Sequence, residues 1–170
     1  MAKARAIEGL AADEPYADAA AKIVAVRARE VADHSHDVLD ATDIERVHDM
    51  RVATRRLRAA LEIFEPCFPA EQLDESLREV KAIADALGER RDADVTIAAL
   101  ERFAHGLAAP DRPGVATLID QIRIEQAEAN AELEAFVAPH RLAALSERLS
   151  ELLLEAEAMT AAESAPGAAR

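Results

Sequence analysis

Apolar residues recur along this chain at intervals of three and four, the spacing that gathers side chains on one side of an α-helix. Ile23, Val26, Val31, Val38 and Leu39 mark a first helix, opened by Pro15 and expected to run to about Ala41. In the segment TDIE, Thr42 and Glu45 have the spacing of a capping box, which predicts the start of a second helix. Met50, Leu57, Leu61 and Phe64 form its apolar stripe, and it is expected to end near Glu65, ahead of Pro66. Pro69 opens a third helix with Leu73, Leu77, Val80, Ala84 and Leu87 on one face. Gly88 is expected to interrupt it, either as a helix end or to allow a close approach by another backbone, before a resumed helix reaches about His105. HGLAAPDRPG reads as a loop, after which Val115, Leu118, Ile119, Ile122, Ala129, Leu133 and Phe136 trace a long helix. Pro139 then starts a last one, striped by Leu142, Leu145, Leu149, Leu152 and Leu153.

Composition sharpens this into a fold class. The chain is 51% hydrophobic yet only 3% aromatic, and it has five glycines in 170 residues. That supply of alanine and leucine suits closely packed helices and not a sandwich or barrel, which draws on turn glycines and β-branched or aromatic strands. The prediction is an all-α, antiparallel bundle of long amphipathic helices spanning residues 15–159. Residues 1–14 are expected to be disordered or loosely helical, and residues 160–170 to form a disordered tail. The lone cysteine, Cys67, offers no disulfide and reads as a small packing residue. No uncharged apolar run approaches the ~18 residues that span a bilayer, and the first fifteen residues have no apolar signal core, so a cytoplasmic protein without membrane contact is expected.

Charge singles out one stretch. The formal net charge is -13, with a sequence pI near 4.8, which disfavours broad binding to DNA or membrane surfaces. Yet His48 to Arg58, HDMRVATRRLR, holds four arginines. At about 100° per residue, His48, Arg51, Arg55 and Arg58 share one helix sector beside the apolar stripe, with Arg56 on the flank. Like charges at these spacings cost an isolated helix roughly 0.2–0.5 kcal/mol per pair, so an anion should offset them. The chain's own 33 acidic residues and a polyanion from solution are both open readings. Arg78 and Lys81 on the third helix, and Arg90 and Arg91 just past Gly88, extend the candidate groove. Asp92 and Asp94 have three readings: capping a helix, orienting an arginine, or ligating a cation. His34 and His36 point roughly 200° apart on a helix and cannot grip one metal together, so no metal site is expected.

HDMRVATRRLRAALEIF followed by LGERRDADV resembles the two signature segments of the CHAD family, the conserved-histidine α-helical domain, and the resemblance runs from about Pro15 to Leu154. It implies a helical bundle that binds inorganic polyphosphate through basic residues, associated with polyphosphate granules and without catalysis of its own. At matched positions the implied binding residues are His48, Arg51, Arg55, Arg56, Arg58 and Arg91; Arg78, Lys81 and Arg90 join them by their place near the groove. Family members usually contain two pseudo-symmetric halves, and no second basic motif follows residue 105 here. The chain resembles one half, which predicts a homodimer.

Guanidinium forks repeated every three or four residues suit a chain of phosphates better than ammonium groups do. No aromatic residue interleaves with the arginines to stack bases, so nucleic acid is not the expected partner. No cofactor is expected. Two alternatives stand beside the binding module. One is a phosphohydrolase or phosphotransferase with His48 as phosphoacceptor or acid, although the sequence has no Walker loop and no HExxH segment. The other is a structural bundle whose arginines are paired internally.

Overall fold

The computed structural model describes residues 3–163. Among them five α-helices and no strand occur: α1 Tyr16–His34, α2 Ile44–Ile63, α3 Ala70–His105, α4 Arg112–Val137 and α5 Pro139–Glu163. Short 3-10 turns, Glu65–Cys67 and Ala109–Asp111, precede α3 and α4. No helix among the described residues is long and apolar enough to cross a membrane. The expected tail lies mostly outside the described residues, but α5 itself extends to Glu163.

Three boundaries differ from the pattern's expectation, each for a local reason. α1 ends at His34 and not at Ala41. The Ser35 hydroxyl donates to the Ala32 carbonyl at 2.7 Å, and Asp37 adopts a left-handed φ of 54°, which no continuing helix accommodates. Val38 and Leu39 still reach the core, from a turn. At the start of α2, both the backbone N–H and the hydroxyl of Thr42 donate to Asp40, at 2.9 and 2.7 Å. Asp43 therefore takes the cap, accepting from the Glu45 N–H at 3.2 Å, and the expected Thr42 capping box is not formed. Its carboxylate also complements the positive end of the helix dipole.

The largest difference is α3, which runs unbroken through Gly88 for 36 residues, about 54 Å. One glycine costs a helix only about 1 kcal/mol, and the buried side chains on both sides of it, Ile83 and Leu87 before and Ala93 and Ile97 after, outweigh that. The first half of α3 packs with α1, α2 and α5 around Val24, Met50, Leu57, Leu61, Leu73, Val80, Leu87, Leu149 and Leu152, with Leu133 and Val137 of α4 closing one end. No residue between Leu87 and Leu133 joins that cluster. There α3 and α4 run side by side as an antiparallel arm, its register set by Glu101 with Arg123 at 3.1 Å and Asp94 with Gln126 at 2.6 Å.

The segment before α1 is not loosely helical. It lies along α1, held by the Arg5 N–H on Glu30 at 2.6 Å, Arg27 on the Arg5 carbonyl at 3.2 Å, and Lys22 on the Gly9 carbonyl at 2.7 Å. Glu30 is only 2% exposed. Burial alone would raise its carboxyl, but the Arg5 N–H, the Arg27 guanidinium and the charges of Arg27 and Arg56 outweigh it and hold the pKa below the usual value. Cys67 packs against the core, and burial pushes its thiol pKa up, as suits a packing residue.

Candidate anion-binding face

α2 and the first half of α3 are antiparallel neighbours, and their outward sides form one cationic face. His48, Arg51, Arg55 and Arg58 follow each other down α2, with Arg55 exposed and the other three half-buried. Near the far end, Arg58, Arg78 and Lys81 line a shallow cleft of about 200 Å³, shared with Glu62, Asp74 and Leu77. Further up, Arg51 lies over Gly88, its Nε 4.0 Å from where a Cβ would stand. The glycine thus leaves room beside α3 for the guanidinium, which is a close approach and not a helix break.

Ion pairing divides the nine residues expected at this face. Arg58 donates to Glu62 at 2.7 Å, within its own helix. Arg91 is half-buried where α3 passes the start of α2, donating to the Ile44 carbonyl at 2.9 Å and reaching Glu45 at 3.4 Å. Its first task is to clamp α2 to α3. Arg51, Arg55, Arg78 and Lys81 make no ion pair within 4 Å among the described residues. The internal-pairing alternative therefore accounts for part of the positive charge and leaves these four side chains over.

Two expected residues face elsewhere. Arg90 is 0% exposed and pairs with Asp94, which is buried beside it. Asp94 also accepts from Gln126, so of its three readings the structure selects orientation of an arginine. Adjacent residues of a helix point about 100° apart, which is why Arg90 turns inward while Arg91 meets α2. Arg56 is half-buried on the side of α2 toward α1, close enough for its charge to act on Glu30.

A further grouping escaped the sequence reading. Glu45, His48 and Asp49 offer ligand atoms that lie within 4.8 Å of one another, and this is the one such group of His, Cys, Asp and Glu among the described residues. Its signature, an i, i+3, i+4 spacing on one helix face, is present in ERVHD. His34 and His36 take no part in it.

Fold and site together define a helical bundle that presents arginine and lysine side chains along the seam of two antiparallel helices. The chain belongs to the CHAD domain family, whose model matches residues 22–170, a family linked to polyphosphate-related proteins. No curated protein and no solved structure gives a significant match.

Proposed function

We propose that this chain is a non-catalytic module that binds inorganic polyphosphate along the α2–α3 face, with Arg51, Arg55, Arg58, Arg78 and Lys81 as its principal contacts. The observation that carries the reading is the set of four cations on one face without an ion-pair partner among the described residues, in a protein rich in carboxylates. Successive arginines on α2 stand about 4.5–6 Å apart along the axis, so an extended polyanion meets a new guanidinium at each helical turn. Each fork offers paired donors to phosphate oxygens. Membership of the CHAD family supports phosphate polymers over other anions. The cleft has no aromatic lining on which bases would stack, which supports polyphosphate over nucleic acid. His48 has no catalytic role in this reading, and the module would recruit its protein to polyphosphate granules. Because the chain resembles one half of the usual domain, a homodimer would complete the cationic surface.

The test is binding of labelled long-chain polyphosphate to the wild type and to Arg51→Ala/Arg55→Ala across a salt series, with single-stranded DNA as competitor. By analogy with single-stranded nucleic acids, log affinity should fall with log salt by about 0.7 per contact, about 3.5 for the five contacts, and less steeply in the variant. Light scattering of the same micromolar samples should give twice the chain mass. Wild-type binding that is absent, or equal in the variant, overturns the reading.

A further inference from the structure

The segment before α1 is a strap pinned to that helix at two points. One pin is the Arg5 N–H on Glu30 at 2.6 Å, and the other is Lys22 on the carbonyl of Gly9 at 2.7 Å. Gly9 makes the second pin from a left-handed φ of 72°. From Lys22 to Glu30 the helix rises about 12 Å. Along that stretch, between strap and helix, lies a cleft of about 470 Å³ with Ala25 and Val26 as its apolar lining on α1. Sites for small molecules typically enclose about 300–1,000 Å³. The cleft shares no residue with the α2–α3 face.

Three cations and one carboxylate line it: Lys22 and Arg29 from α1, Arg5 and Glu8 from the strap. Lys22 is engaged with Glu14 as well as Gly9, and Arg5 pairs with Asp33 through one nitrogen. A guanidinium has five N–H donors and an ammonium three, so both side chains keep donors to spare. Arg29 and Glu8 are placed differently. Both are exposed, and neither has an ion-pair partner among the described residues, not even the other, although they line the same cleft. A guanidinium and a carboxylate, each without a counter-charge, thus border one small volume. A plain anion suits only part of that lining, because Glu8 repels it. The complementary ligand carries two carboxylates and one ammonium.

We infer that this cleft binds an acidic amino acid, an α-amino dicarboxylate of the glutamate class. One carboxylate takes the Arg29 fork, whose paired donors match its two oxygens. The other takes the spare donors of Arg5 and Lys22, and Glu8 accepts from the ammonium. The aliphatic stem covers Ala25 and Val26. Glu8 supplies the selectivity: a dicarboxylate without the amine leaves that carboxylate unpaired beside like charge.

The test is isothermal titration calorimetry of the full chain with sodium glutamate at neutral pH, and in parallel with glutarate, the same dicarboxylate without the amine. The wild type should bind about one glutamate per chain, and glutarate at least tenfold more weakly. Arg29→Ala should weaken glutamate binding at least tenfold. Glu8→Gln should bring the two ligands to within about twofold of each other, and Arg102→Ala, on the arm, should change neither affinity. Arg29 and Glu8 have no ion pair to lose, so both variants should keep the wild-type circular dichroism spectrum and thermal midpoint. No binding by the wild type at millimolar glutamate, or equal affinity of the wild type for glutamate and glutarate, overturns the inference. So does glutamate binding that Arg29→Ala leaves intact, or a preference for glutamate that survives in Glu8→Gln.

Discussion

Removing the Asp94 carboxylate should be among the most damaging single changes available to this protein. Arg90 and Asp94 are both out of contact with solvent, and among the described residues Asp94 is the one ion-pair partner of Arg90. Two further guanidinium nitrogens, Nε and Nη2, already find no hydrogen-bond partner among the described residues. Asp94→Ala leaves a guanidinium buried without a counter-charge, a change that costs about 3–5 kcal/mol. Gln126 also loses its acceptor but is half-buried and can turn toward water, so it adds little. Against a typical total of about 5–15 kcal/mol this is a large fraction. With a slope of about 2 kcal/mol per molar urea, the unfolding midpoint should fall by roughly 2 M. The double variant Arg90→Met/Asp94→Leu, which removes both charges and fills the space, should recover most of the loss. Urea unfolding followed by circular dichroism measures all three proteins. A single variant within 1 kcal/mol of wild type, or a double variant no better than the single one, would refute the reasoning. Polyphosphate affinity of the double variant should match wild type, because Arg90 does not face the groove.

Gly88→Ala should raise stability by about 0.5–1 kcal/mol, since the added methyl meets Arg51 Nε at an ordinary 4.0 Å; a lower thermal midpoint would show that the glycine is needed for packing. Glu30→Gln should be less stable than wild type at pH 7. The sign follows from the depressed carboxyl: its stabilisation is fully present above the ordinary value near 4.5 and disappears as pH falls through the lower folded value. The two urea midpoints should therefore converge at low pH, and a constant gap down to pH 2 would contradict the assignment.

The helices and the cationic stripe were legible because both follow one helix's own periodicity. Met50, Leu57 and Leu61 are buried as a set, and His48, Arg51, Arg55 and Arg58 occupy the adjoining sector. What periodicity leaves open is the identity of the neighbour. Arg56 and Arg90 carry the right charge in the right stretch, but α1 lies beside one and the interior beside the other. Gly88 was misread for a related reason: intrinsic propensity is worth about 1 kcal/mol, and the core contacts on either side of it are worth several times that. Thr42 has the right spacing for a cap, but the competing Asp40 carboxylate becomes visible only once the preceding turn is formed.

The unbroken run of α3 makes the protein a ruler. The same helix that lines the arginine cleft at Arg78 and Lys81 clamps α2 at Arg91 and ends at the tip of the arm at His105. From Arg91 to His105 the rise is about 21 Å, with no joint between them. Whatever meets the tip, at Ala109–Asp111, is held at a fixed distance and bearing from whatever lies along the stripe.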